Sequence, residues 1–87
     1  MNIVFTNHFK KQYQLQIKRG KKPEKMSEVI KIFINNETFP AKYKDHLMKG
    51  NKIGLRNLHV EPDWILLYKI EEYDVIFMET GTHSDLF

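Results

Sequence analysis

Seven consecutive residues, Trp64 to Ile70 (WILLYKI), are almost all apolar in a chain of 87 residues that has no cysteine. A short apolar run of this kind is typical of a central β-strand with both faces covered or with one aromatic edge. A chain of this length has only a modest core, and disulfides are excluded as a source of stability. We therefore predict a single domain over residues 1–87.

Two amphipathic helices are predicted in the first 36 residues. The first follows a cap at Thr6 or Asn7 and stops at Gly20, and the second starts at Pro23. Apolar residues three or four positions apart give each helix one apolar side, so we expect a hairpin with one buried side. These residues are Phe9, Tyr13 and Ile17, then Met26, Val29, Ile30, Phe33 and Ile34.

The remaining segments favour strands and turns. We predict a basic loop over 37–51, a turn at Glu61–Asp63 and a short tail from Thr82 to Phe87. The fold class is α+β in the order β-α-α-β-β-β, with the helix hairpin on one face of a small antiparallel sheet and the other face open to solvent. The predicted strands are Met1–Thr6, Ile53–His59, Trp64–Ile70 and Tyr73–Thr80.

Charge is distributed unevenly along the chain. Residues 1–25 carry a net +6, residues 26–60 a net +3 and residues 61–87 a net −6. This pattern predicts an anionic partner, either nucleic acid or an acidic protein, although a solubilising lysine-rich surface explains it equally well. No apolar run approaches the ~20 residues of a membrane helix, so we predict a cytoplasmic protein with no membrane partner.

Three histidines follow different predicted elements and could converge at one edge of the sheet. They are His46, His59 and His83, and Asp63 lies four residues after His59. Imidazoles move protons near neutral pH, and a carboxylate can orient an imidazole or act as a base. Each histidine alone is more often an exposed surface residue. A three-histidine metal site is a further alternative, although no compact ligand spacing supports it.

Basic and aromatic residues surround these histidines. The lysines Lys44, Lys49 and Lys52 and the guanidinium of Arg56 can hold a phosphate backbone, or they can form an ordinary solvated loop. Two aromatic rings can stack on a nucleobase. For Trp64, core packing is a strong alternative because it opens an apolar strand, whereas Phe87 ends the chain.

Three segments carry a resemblance to a known family. They are AKYKDH at 41–46, RNLHVEPDWILLYK at 56–69 and TGTHSDLF at 80–87. Together with the order of elements, they resemble the YafQ toxins of the RelE/ParE superfamily, from bacterial type II toxin–antitoxin systems. The resemblance runs over nearly the whole chain.

The resemblance implies a ribosome-dependent endoribonuclease that cuts messenger RNA in the A site of the 70S ribosome, without a metal or other cofactor. The ribose 2′-hydroxyl would attack the adjacent phosphate. It further implies a bacterial cytoplasmic protein, a cognate antitoxin that is DinJ-like or of another family, and operator DNA binding only through the antitoxin complex. The alternative is a ParE-like toxin or binding module that acts on a protein such as gyrase.

The matching positions are His46, His59, Asp63, Trp64, His83 and Phe87. The chemical roles of these residues are our own hypothesis: His83 or Asp63 takes the 2′-hydroxyl proton, and His46 or His59 protonates the departing 5′-oxygen. Phe87 and Trp64 would position the nucleotide. Arg56 matches a phosphate-binding residue of the superfamily. Regular strand alternation would place it and His59 on opposite sides, so either the strand ends before His59 or Arg56 lies outside the site.

Overall fold

The computed structural model describes the backbone of residues 1–87 and every side chain except that of Asn51. Two single 3₁₀ turns, Ala41–Tyr43 and Gly50–Lys52, flank the shortest strand. Among the described residues, no helix has the length and apolar character needed to cross a bilayer. The elements are β1 (Asn2–Phe5), α1 (Asn7–Lys18), α2 (Pro23–Ile34), β2 (His46–Leu47), β3 (Arg56–Glu61), β4 (Trp64–Glu71), β5 (Asp74–Gly81) and α3 (His83–Leu86).

The five strands form one sheet in the order β1-β5-β4-β3-β2. The α+β class and the helix hairpin on a sheet are confirmed, but the sheet is mixed rather than wholly antiparallel. Its first strand runs parallel to β5, with Asn2 opposite Asp74 and Phe5 opposite Phe77. Apolar periodicity reports which face of a strand is buried and not the direction of its neighbour, so the sequence did not reveal this pairing.

Helices α1 and α2 cover one side of the sheet, which we call the inner face. From β4, Trp64, Leu66 and Tyr68 point into this layer and are at most 1% exposed. Phe9 of α1 and Phe33 of α2 pack against Phe77 of β5, with ring centroids 5.2 and 5.7 Å away. The buried side predicted for the helix hairpin is thus the main core of the protein.

The opposite side of the sheet, which we call the α3 face, is not left open to solvent as predicted. Ile65 and Leu67 of β4 alternate with the inner-face residues and are also buried. Leu86 of α3 packs on them, together with Met48 and Leu55 from the segment between β2 and β3. Both faces of β4 are therefore covered, which is the first of the two alternatives that its apolar sequence predicted.

Three local predictions need correction. The 37–51 loop contains a turn with a buried Tyr43 and the short strand β2, in which His46 lies. The strand predicted from Ile53 begins at Arg56, because Gly54 has a φ of +90° and Ile53 is 78% exposed in the preceding turn. The C-terminal tail is the helix α3, closed by a capping box at its N-terminus.

Replacing Phe77 with alanine should destabilise the protein by about 3–5 kcal/mol, because the ring is fully buried between both helices and β1. Tyr73 is 81% exposed in the turn before β5. The matched Tyr73→Ala variant should stay within about 0.5 kcal/mol of the parent. Urea unfolding followed by circular dichroism measures both. Equal losses in the two variants would contradict this account of the core.

Candidate active site

The register of the sheet places two of the predicted histidines side by side on the α3 face. His46 of β2 lies opposite Asn57 of β3, and Asn57 lies opposite the buried Leu67 of β4. His59 lies two residues further along β3, opposite Ile65. Residues facing each other across a sheet share a face, so His46 and His59 are diagonal neighbours, about 7–8 Å apart at Cα.

Backbone carbonyls orient both imidazoles. Nδ1 of His46 lies 2.6 Å from the carbonyl oxygen of Lys44, and Nδ1 of His59 lies 3.1 Å from that of Pro62. Because a carbonyl oxygen only accepts hydrogen bonds, each Nδ1 must carry a proton. The free Nε2 of each ring is therefore the atom that can give or take a proton.

Asp63 and His83 are joined by a direct hydrogen bond. The backbone N–H of His83 donates to Oδ1 of Asp63 at 3.1 Å, which ties the β3–β4 turn to the start of α3. One helical turn later, the ring of Phe87 lies 4.9 Å from the imidazole of His83, tilted by 38°. His83 and Phe87 are both exposed, so a ligand can reach them.

Arg56 lies on the other side of the sheet. It is opposite Tyr68, whose ring belongs to the inner-face core. Its Nε donates to Oδ1 of Asp45 at 3.2 Å, and the Tyr68 hydroxyl donates to the same oxygen at 2.6 Å. The hydrogen bond to Asp45 raises the pKa of Arg56, and burial raises the pKa of Tyr68. Arg56 is therefore not brought together with His59, in agreement with strand alternation.

Lys52 is the predicted phosphate-binding lysine that the fold ties to the α3 face. Its Nζ lies 2.9 Å from Oε2 of Glu79, and Glu79 lies opposite Leu67, in the same cross-strand row as His46. Lys44 and Lys49 are exposed at the two ends of the short β2 segment. A contact of either with RNA stays a prediction.

The structure gives Trp64 a different place from the one predicted for stacking on a base. The ring is fully buried on the inner face, where it stacks on Tyr13 at 6.3 Å. Its Nε1 donates to Oγ1 of Thr80 at 2.9 Å. A ring with no accessible face cannot receive a nucleobase, so the core-packing alternative describes Trp64.

Trp64→Phe should lower the free energy of unfolding by about 1–3 kcal/mol, since it removes the bond to Thr80 and leaves a gap in the core. The residues of the α3 face would keep their positions. We therefore expect the affinity for an RNA ligand to be unchanged at a temperature where the variant is folded. A variant with parental stability and weakened RNA binding would instead assign Trp64 to the ligand.

Sequence reasoning missed three polar residues around this site. Glu79 belongs to no sequence motif. Nothing in the sequence shows that Asn57 is buried, yet its side chain is only 4% exposed, and its Oδ1 has no hydrogen-bond partner among the described atoms. Asp85 did leave a signal, because Thr82-x-x-Asp85 has the spacing of a capping box. A threonine followed three residues later by an acidic residue indicates that the C-terminal tail begins with a helical turn.

The described side chains provide no group of three or more histidine, cysteine, aspartate or glutamate residues that could hold a metal ion. The three-histidine metal site considered from the sequence therefore has no ligand set in this part of the structure. The α3 face does bring together the imidazoles of His46 and His59 and the side chain of Lys52. It also holds the Asp63 carboxylate, which accepts a hydrogen bond from the backbone N–H of His83. This arrangement suits proton transfer on an anionic ligand.

Comparisons with known proteins agree with this architecture. A family model described as the bacterial toxin of type II toxin–antitoxin system, YafQ, matches residues 1–87. The mRNA interferase toxin YafQ of Escherichia coli strain K12 is 41% identical over 87 residues, which cover 99% of this chain and 95% of that protein. The crystal structure of YafQ from E. coli strain BL21(DE3) superimposes with a TM-score of 0.92 at 40% identity, over 99% of this chain and 97% of that one. The toxin in the E. coli DinJ–YafQ complex gives 0.88 at 41% identity, with the same coverage of 99% and 97%.

Proposed function

The chain belongs to the YafQ family of bacterial toxins of type II toxin–antitoxin systems, and we propose that the α3 face is where it cleaves messenger RNA. Its relatives at 41% identity are mRNA interferases, and this chain is an endoribonuclease of that kind. The observation that carries the placement is the convergence of His46, His59 and the Asp63–His83 pair on one face of the sheet.

The proposed reaction needs only proton transfers and stabilisation of charge. The ribose 2′-oxygen loses its proton to a base and forms a bond to the adjacent phosphorus. The bond from phosphorus to the 5′-oxygen of the next nucleotide breaks, and that oxygen takes a proton from an acid. The products are a 2′,3′-cyclic phosphate and a 5′-hydroxyl, so atoms and charge balance without a redox partner.

We assign the base to His83 and the acid to His59 or His46. Asp63 is a weaker choice for the base, because its Oδ1 already accepts the backbone N–H of His83. The two other imidazoles each hold Nδ1 on a carbonyl, so Nε2 of one can deliver the proton while the other, when cationic, faces the phosphate. The ring of Phe87 beside His83 would hold the nucleotide by stacking.

Lys52, rather than Arg56, is the predicted phosphate-binding residue that best fits this site. Since Arg56 is bonded to Asp45 on the inner face, its charge is directed away from the histidines. Lys52 is held on the α3 face by Glu79 and can pair with the phosphate as negative charge develops there.

The partners follow from the family. YafQ of E. coli is found in complex with DinJ, and we propose that this chain is likewise neutralised by a cognate antitoxin. The net +6 of residues 1–25 suits both an acidic antitoxin segment and ribosomal RNA. Dependence on the ribosome, a cytoplasmic location and contact with operator DNA only through the antitoxin complex are part of the same proposal.

Replacing His46, His59 or His83 individually with alanine should slow cleavage by about 10²-fold or more, the usual contribution of an acid or base. The assay adds each variant to translating ribosomes and maps RNA 5′ ends by primer extension. Tyr73→Ala is the control, because its side chain is 81% exposed in the turn before β5, at the opposite end of that strand from α3. Parental cleavage by all three variants would refute the assignment, and an intact message with the folded parent would favour a protein target such as gyrase.

Lys52→Gln should slow cleavage about tenfold or more while the fold is retained, because the site loses its cation. Lys69→Gln provides the comparison, since Lys69 makes a similar 2.8 Å pair with Glu71 at the far end of β4. The same primer-extension assay under single-turnover conditions gives both rates. If the two variants behave alike, Lys52 has no special role.

A further inference from the structure

One carboxylate oxygen joins α3 to α1. Oδ2 of Asp85 accepts hydrogen bonds from Nε2 of Gln16 at 3.0 Å and from Nη1 of Arg19 at 2.8 Å, both on α1 or its C-terminal cap. The same oxygen accepts the backbone N–H of Thr82 at 2.9 Å, which closes the capping box of α3. Three donors from two elements thus meet on a single atom.

Burial and further hydrogen bonds hold the α1 side of this junction in place. Gln16 is 1% exposed, so its amide cannot turn to water in place of Asp85. One turn earlier, Oε1 of Gln12 accepts the backbone N–H of Thr80, where β5 leads into α3. Thr6 caps the start of α1 and donates to the carbonyl oxygen of Phe77. Polar residues of α1 and its N-terminal cap therefore hold both β5 and the segment that follows it.

The α3 side depends on that junction. A helix of four residues forms too few internal hydrogen bonds to be stable alone, so its position must come from outside contacts. Gly81 fits the arrangement, because a Cβ at that position would lie 2.9 Å from Cβ of Asp85. The bonds to Thr82 and α1 lower the pKa of Asp85 to about 2, so the carboxylate is charged at neutral pH.

We propose that Asp85 is a positioning residue for the reaction, which through Gln16 and Arg19 holds His83 and Phe87 at the α3 face. His83 and Phe87 are two residues from Asp85 on either side and cannot keep their places if α3 frays. Leu86 and the Asp63 bond also secure α3, but both lie toward the sheet, and Asp85 supplies its attachment to α1. This inference rests on the proposed endoribonuclease function.

The first test compares Asp85→Ala with Asp85→Asn, and Ser84→Ala serves as the control because Ser84 is exposed in the same turn. Asp85→Ala removes all three acceptor contacts, whereas asparagine keeps an acceptor oxygen without the charge. We expect single-turnover cleavage on ribosomes to slow about tenfold or more in Asp85→Ala, with partial recovery in Asp85→Asn and no change in Ser84→Ala. Ribosome affinity, measured by co-sedimentation, should change less than the cleavage rate.

The second test separates the link to α1 from the capping box. Replacing both Gln16 and Arg19 with methionine leaves Thr82 and Asp85 in place, so this double variant should match the slow cleavage of Asp85→Ala. Cleavage by the double variant at the parental rate would overturn the proposal, and so would an unaffected Asp85→Ala. The double variant also decides the question if Asp85→Ala does not fold.

A measurement on the protein without RNA keeps this inference distinct from the proposed function. In the parent, the amides of Leu86 and Phe87 donate to Thr82 and His83 and should be protected from hydrogen exchange. We expect that protection, and the nuclear Overhauser effect between the His83 and Phe87 rings, to be lost in Asp85→Ala. Retention of both would refute the positioning role, whereas loss of both with a parent that does not cleave RNA would refute only the catalytic assignment.

Discussion

Burial of both faces of β4 is the constraint on which the rest of the structure depends. Trp64, Leu66 and Tyr68 point to the helices, and Ile65 and Leu67 point the opposite way with no more than 1% of their surface exposed. A strand of this kind needs a layer on each side. The inner face has two helices of 12 residues, whereas the α3 face is covered only by a four-residue helix and the segment that contains Met48 and Leu55.

The main hydrophobic core and the proposed active site lie on opposite faces of the sheet. The aromatic core lies with the helices. On the α3 face His46 and His83 are exposed and His59 is half-buried, so solvent and ligands can reach them. Short elements are stable only through their contacts, and each segment of the proposed active site is tied to the inner layer. The two-residue strand with His46 follows Asp45, whose carboxylate bonds to Arg56 and Tyr68 on the inner face. On the other side of the site, α3 is tied to α1 through Asp85.

Much of this arrangement could be predicted from the sequence, because it follows from periodicity. The spacing of Met26, Val29 and Phe33 indicates the buried side of α2. Alternation along β3 left two alternatives for Arg56, and the strand continues through His59, so the two side chains lie on opposite faces. The parallel partner of β1 could not be inferred, since pairing direction leaves no local pattern. The sequence is compatible with a Trp64 ring in the core or at the RNA surface. The packing of the ring against Tyr13 and its hydrogen bond to Thr80 place it in the core.

Acidic residues near the site raise a physical problem, because residues 61–87 carry a net −6 and the proposed substrate is a polyanion. Ion pairs and a hydrogen bond near the site reduce this negative charge. Glu79 is paired with Lys52, and Asp85 with Arg19, so two of these charges are balanced by cations from the basic part of the chain. Asp63 accepts the backbone N–H at the start of α3, which carries a partial positive charge. Two acidic residues of the C-terminal segment are thus paired with basic residues from the N-terminal two-thirds of the chain. At the proposed active site these pairs would hold Lys52 and α3 in place and would reduce the repulsion that an RNA phosphate meets at the α3 face.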